Sequence, residues 1–179
     1  MPDRFACVSS NVLSRRRVIA GSTGALVALV GTSAFFADAV QATPPFPTDN
    51  ATRTSLHQEI ALKTSPAHIY AVLLDSKQFA AFSHNPADIQ ADAGGAFSMF
   101  GARILGRNVE LVPNLRIVQA WRSAGWPPGV YSIVRFEFKE QGTQTRVILD
   151  HTGFPQGDFD NLSSGWKSHY WDPLQLFFI

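Results

Sequence analysis

The clearest hydrophobic pattern in the chain lies at its end. Between Asn161 and Phe178, the residues Leu162, Trp166, Tyr170, Leu174 and Phe177 recur at steps of four, four, four and three, so they fall on one face of an α-helix. Each such side chain contributes roughly 1.5–3 kcal/mol when fully buried, so this helix predicts a broad apolar surface for it to lie across. Pro173 removes one backbone hydrogen bond inside the helix and predicts a kink near His169.

Upstream, the pattern supplies that surface. Residues Ser55 to Lys63 read as a half-buried strand, with Leu56, Ile60 and Leu62 on one face and His57, Glu59 and Lys63 on the other. Ser65-Pro66 has the chemistry of a helix start, a side-chain oxygen for a free N–H followed by a residue that has none to lose. Ile69, Val72 and Leu73 form its inner face. Asp75 or Ser76 begins a second short helix carrying Phe79 and Phe82, which His84-Asn85-Pro86 ends. From Ala87 to His151 the period becomes two, broken by Gly94-Gly95, Gly101, Pro113-Asn114, Trp126-Pro127-Pro128-Gly129 and Gln141-Gly142, which predicts about six strands in an antiparallel meander. Val134, Phe136 and Phe138 oppose Arg135, Glu137 and Lys139, and Val147, Leu149 and His151 oppose Arg146 and Asp150, so one sheet face is wet and the other apolar. The fold class is therefore α+β: an antiparallel sheet of about seven strands, with two short helices after its first strand, curled around a long C-terminal helix. A sheet curved around one helix leaves a gap, filled by side chains or open to a ligand.

Composition narrows the partners. Of 15 Lys and Arg and 14 Asp and Glu, 11 basic and 12 acidic residues follow residue 43, a balance that excludes a polyanion-binding surface and with it nucleic acid. The only cysteine, Cys7, precedes that point, so the remainder has no thiol for a disulfide, a thiolate metal site or a nucleophile.

The leading segment, residues 1–42, reads as an address. Ser14-Arg15-Arg16-Arg17-Val18-Ile19 resembles a twin-arginine export motif. The apolar run from Ala20 to Phe36, interrupted by Gly21, Gly24 and Gly31, resembles the core of such a signal and is weak as a stable span. Val40-Gln41-Ala42 predicts cleavage after Ala42, or after Ala39, and hence a periplasmic or secreted protein with no membrane span after processing. An uncleaved N-terminal membrane anchor is the alternative. Residues 43–54, with Pro44, Pro45 and Pro47, read as a linker, and residues 55–179 as one domain with one core.

Several short stretches resemble one family. Gly94-Gly95-Ala96-Phe97, Gly106, Leu111-Val112-Pro113, Arg116-Ile117-Val118 with Trp121-Arg122, and Trp126-Pro127-Pro128-Gly129 are similar to the C-terminal-type domain of the activator of the 90-kDa heat-shock protein ATPase. Asp150-His151-Thr152-Gly153, Gly165-Trp166 and Tyr170-Trp171-Asp172-Pro173-Leu174 continue the likeness to the end of the chain. The resemblance implies a helix-grip fold, the one shared by START lipid-transfer domains, polyketide cyclases and birch-pollen allergens (the SRPBCC group), with a cavity under the terminal helix. It also implies a chaperone-related protein partner. The activator's separate N-terminal chaperone-binding domain has no counterpart in residues 1–54.

Trp121, Trp126, Trp166 and Trp171, with 14 phenylalanines, are enough to line an apolar pocket or to fill a core. Trp126 beside two prolines predicts a side chain that folds over the cavity mouth or anchors the loop. The residues expected to face the cavity are Trp121, Trp126, Phe136, Leu149, His151, Trp166 and Tyr170. His151 is the candidate acid or base, with His169 beside the helix stripe; against both stands the reading of a histidine hydrogen-bonded for structure. No triad is visible in the spacing. His57, His68, His84, His151 and His169 are scattered without metal-ligand spacing, and no metal or built-in cofactor is expected. Arg103 and Arg107 share a strand face with Leu105 and Val109; turned inward, one arginine can pair with a ligand carboxylate, and turned outward both form a solvated edge.

Three functions follow from this reading. The first is binding of a small apolar or aromatic ligand between sheet and terminal helix. The second is a chaperone-associated interaction module with a filled core. The third is a cyclase- or hydrolase-like enzyme using the same cavity.

Overall fold

The computed structural model describes residues 49–179; the export signal, its cleavage site and the first part of the proline-rich stretch lie outside the described residues. Seven strands form one antiparallel sheet: β1 Ser55–Leu62, β2 Asp88–Ile89, β3 Ala96–Met99, β4 Ile104–Val112, β5 Arg116–Ser123, β6 Ser132–Gln141 and β7 Gln144–Thr152. Their order is β1-β7-β6-β5-β4-β3-β2, so every connection after β2 is a hairpin and the first strand closes against the last. Two helices, α1 Pro66–Leu74 and α2 Ser76–Ser83, separate β1 from β2.

The local chemistry behaves as its residues dictate. Ser65 accepts from the His68 amide with Pro66 in the first turn, and Asp75 both ends α1 and caps α2 by accepting from the Lys77 and Gln78 amides. His84 ends α2 in the left-handed region, at φ 53°. The alternation of β6 and β7 places Val134, Phe136, Phe138, Val147 and Leu149 on the buried face, together with Ile117 and Trp121 from β5. Gly106 on β4 faces the same way because nothing larger fits: a Cβ there would lie 2.3 Å from the Phe97 ring and 2.1 Å from the Ala120 carbonyl oxygen. Val109 is the extra residue of a bulge between Asn108 and Glu110, and it is 54% exposed.

The terminal helix crosses the apolar face but is not one regular α-helix. It comprises α3 Phe159–Trp166, a π-helical turn Lys167–Trp171 and α4 Asp172–Phe177. The Asp172 amide donates to the Lys167 carbonyl, five residues back. The irregularity directly precedes Pro173, whose missing N–H would break a four-residue ladder. The wider turn changes which residues face inward. Trp166, Tyr170 and Leu174 are buried as the periodicity predicts, but Trp171 joins them at 6% exposure and Phe177 is 38% exposed. Leu162 is only half buried.

Residues of the proline-rich stretch also take part in the fold. Asn50–Thr52 form a 3-10 turn capped by Asp49, and the turn is held at the start of the terminal helix by Asn50 Nδ2 donating to Asp160 (3.1 Å) and by the Gly157 amide donating to the Ala51 carbonyl (2.9 Å). The Arg53 guanidinium lies 3.7 Å from the centre of the Phe159 ring.

Candidate functional site

A cavity of about 500 Å³ opens where the first turns of the terminal helix leave the sheet. Its helix wall is Asn161, Leu162, Gly165, Trp166, His169 and Tyr170; its sheet wall is Ile104, Trp121 and Ser123. Its rim is formed by Asn85, by Phe100 and Arg103 of the β3–β4 turn, and by Gly125, Trp126 and Asp158. Gly165 contributes by what it lacks, since a Cβ there would meet nothing within 4 Å and would only project into space. A glycine inside a helix costs about 0.5–1 kcal/mol relative to alanine, so this position exchanges helix stability for room.

The aromatic walls support one another. Trp121 meets Trp126 edge to face at 5.5 Å, Trp166 packs on Tyr170 at 4.3 Å, and Phe100 meets Tyr170 at 5.3 Å. Burial pushes the Tyr170 hydroxyl pKa up, so it stays protonated. Trp126 stands at the cavity rim and is anchored there: its indole N–H donates to the Asp158 carboxylate and its carbonyl accepts from Arg122 Nη2 at 2.8 Å. Of the four indoles, Trp121 alone has a buried N–H without an acceptor among the described residues, because Trp166 donates to His151 and Trp171 to Gln58.

The residues expected at the site separate into two groups. Trp121, Trp126, Trp166 and Tyr170 line the cavity. Phe136, Leu149 and His151 lie behind that wall in the core, at 2%, 0% and 0% exposure. His151 is held on both nitrogens: Nδ1 accepts from Trp166 Nε1 at 3.0 Å, which leaves the proton on Nε2 to be donated to Ser132 Oγ at 2.7 Å. The Ser132 hydroxyl then donates to the Trp121 carbonyl at 3.0 Å. Burial pushes the His151 pKa down to about 3, so the ring is neutral, fully engaged and away from the cavity surface. This is the geometry of a histidine hydrogen-bonded for structure. His169 is the histidine that reaches the cavity, its ring 5.9 Å from that of Phe100.

The pattern of the chain did not single out Asn85, Phe100, Ser123, Asp158 or Asn161. They come from loops, the helix start and, for Ser123, the last position of β5, where no periodicity reports direction. The two arginines of the β4 region divide. Arg107 faces outward, donating to the Gly94 carbonyl at 3.0 Å, whereas Arg103 precedes the strand and stands at the cavity rim. The turn that places it is unusual: Phe100, Gly101 and Ala102 all have positive φ, at 54°, 64° and 66°. For the two non-glycine residues this conformation costs about 1–2 kcal/mol each. The turn is pinned by the Gly101 amide donating to the Pro86 carbonyl (3.1 Å) and by the Arg103 carbonyl accepting from the Ala124 amide (2.8 Å). Among the described residues no group of three or more His, Cys, Asp or Glu side chains is placed to hold a metal ion.

A curved antiparallel sheet gripping one C-terminal helix, with a cavity at their junction, defines a helix-grip domain. Residues 63–178 match the model of the family described as Activator of Hsp90 ATPase homolog 1-like protein, and the chain belongs to that family. It is 30% identical over 115 residues to the human Activator of 90 kDa heat shock protein ATPase homolog 1, a match that covers 64% of this chain and 34% of the human protein. It is 32% identical over 130 residues to the homologue from Dictyostelium discoideum, covering 72% of this chain and 34% of that protein. The chain thus spans about a third of the length of the curated relatives it matches. Among solved structures, an HSP90 activator from Plasmodium falciparum superposes with a TM-score of 0.67 at 22% identity, covering 70% of this chain and 96% of that one. CalU16 from Micromonospora echinospora superposes with a TM-score of 0.60 at 20% identity, covering 69% and 73%. At these identities the structural likenesses establish the fold.

Proposed function

We propose that this is an exported helix-grip protein that binds a small, largely apolar molecule in the cavity between the sheet and the terminal helix. The observation that carries the reading is the cavity itself: about 500 Å³, open at its rim, with tryptophan and tyrosine walls and a few polar groups at its edge. Those are the dimensions and lining of a small-molecule site. A chain that used its core only for stability would gain by filling this space, because unfilled volume forfeits packing energy. Two further features support the reading: Gly165 leaves room where alanine would favour the helix, and the Trp126 loop is tied at the rim by two hydrogen bonds rather than collapsed into the space.

Native mass spectrometry of the protein purified from its native host, before and after denaturation, tests this. The expected result is a small molecule that travels with the folded protein and is released on unfolding. A protein that runs at its bare chain mass, and that also fails to take up added apolar ligands, rejects the reading.

Family membership favours a second reading, an accessory module that contacts a chaperone of the 90-kDa heat-shock class. Tyr131 and Ile133, at 52% and 43% exposure next to and on β6, and Leu176 and Ile179 at the chain end, supply apolar surface for a protein contact. Co-purification of that chaperone with the unprocessed chain, without any bound small molecule, is the result this alternative expects.

A further inference from the structure

The cavity's polar rim is not neutral toward the charge of a ligand. Of the seven arginines among the described residues, six are engaged: Arg53 with Asn50, Arg107 with the Gly94 carbonyl, Arg116 with Glu110, Arg122 with the Trp126 carbonyl, Arg135 with Asp150 and Arg146 with Glu59. The Arg103 guanidinium alone makes no hydrogen bond or ion pair with a described residue, and it is at the cavity. Its backbone is fixed at the end of a turn with three successive positive φ values, and the turn is tied on both sides by backbone hydrogen bonds. Strained backbone of this kind clusters at active sites and ligand clamps. The carboxylate on the same rim, Asp158, is already committed to the Trp126 indole N–H. Asp158 keeps its negative charge, but one of its oxygens is held by Trp126, which leaves the Arg103 guanidinium as the rim's free charged donor.

We infer that the cavity takes an amphipathic acid, a molecule with an apolar, ring-bearing body against Trp121, Trp166 and Tyr170 and a carboxylate paired with Arg103 at the rim. The inference rests on the ligand-binding reading above and adds the chemical class of the ligand. Guanidinium and carboxylate match as a planar fork of two parallel hydrogen bonds. A cationic ligand would instead have to take Asp158 from Trp126 while facing Arg103.

Three probes of one shape separate these possibilities by isothermal titration: pyrenebutyrate, its primary amide, and a trimethylammonium analogue of the same length. The acid is expected to bind about tenfold more tightly than the amide, the scale of one charge-assisted pair at a partly exposed rim. The ammonium analogue is expected to be the weakest. In Arg103→Gln, an exposed position, acid and amide should come within about twofold of each other, with an unchanged melting temperature. Arg103→Lys should keep part of the preference. Raising the salt concentration should weaken the acid and leave the amide unaffected, a comparison that needs no variant. Equal binding of acid and amide by the unmutated protein, tighter binding of the ammonium analogue, or a preference that survives Arg103→Gln overturns the acid assignment while leaving the ligand-binding reading intact. Failure of all three probes to bind overturns the acid assignment, and together with a bare chain mass in native mass spectrometry it removes the ligand-binding reading as well.

Discussion

His151 is buried at the junction of sheet and helix, joining Trp166 on one side to Ser132 and the Trp121 carbonyl on the other. The ring is useful there because it offers one acceptor and one donor on opposite edges, which no apolar residue of its size does. That role has a pH signature. In the unfolded chain the ring titrates near 6.5, and in the folded protein only at about 3. The neutral ring's contribution is therefore complete above about pH 6.5 and declines by roughly 1.4 kcal/mol per pH unit as pH falls toward 3. Urea denaturation of His151→Gln and the parent protein at pH 7, 6, 5 and 4 should show the variant less stable at neutral pH, by about 1–3 kcal/mol for the disturbed hydrogen bonds, with the gap closing on acidification. Parallel curves would show that another group carries the acid sensitivity. The inward direction of His151 was legible in the alternation of β7. Its two partners were not, because Ser132 and Trp166 lie 19 and 15 residues away and meet it only once the sheet is paired and the helix is laid across it.

At the scale of the element, the terminal helix shows how one residue type redirects a surface. The helical spacing predicted Phe177 as the last inward residue. The π-helical turn before Pro173 takes in an additional residue, so Trp171 comes round to stack on Trp166 at 5.9 Å with an interplanar angle of 24°, and Phe177 rotates out. Pro173 does disturb the helix near His169, as its lost N–H requires, but through a widened turn. Trp166 remains the centre of this element: it touches Trp121, Phe136, His151, Tyr170 and Trp171 and is 3% exposed. Trp166→Ala should cost about 3–5 kcal/mol in denaturant titration, the range for truncating a buried large aromatic residue. A loss below about 1 kcal/mol would mean that the helix is not anchored there.

For the whole molecule, the outer face of the sheet is closed to apolar partners over much of its width by a charge network. His57 and Arg135 both bind Asp150, at 2.7 Å each, and Arg146 reaches Glu59 at 3.3 Å. The carboxylate of Asp150 raises the His57 pKa through a direct hydrogen bond. Such exposed pairs contribute little stability individually, but they keep this part of the face hydrated. Export belongs to this scale as well. Replacing Arg15 and Arg16 with lysines should leave an unprocessed precursor in the cytoplasm, detected by fractionation and by the mass of the N-terminus, because the motif resembles one read through its arginine pair. Unchanged export and processing would remove the twin-arginine assignment and with it the proposed location.

Features that depend on neighbours along the chain were legible before any fold was known. The caps at Ser65 and Asp75, the alternation of β6 and β7 and the face shared by Trp166, Tyr170 and Leu174 are of this kind, each set by dihedral preference and period over a few residues. The order of elements, and the shape of a sheet curled round one helix, followed from those. Tertiary structure alone decided whether the gap would be filled, because that depends on the summed volumes of side chains from β4, β5, the β3–β4 turn and α3. It also placed Phe136, Leu149 and His151 behind the cavity wall and Arg103 on its rim. No period describes a turn with three positive φ values, and an arginine's partner, or its lack of one, is settled only when distant strands bring their charges together.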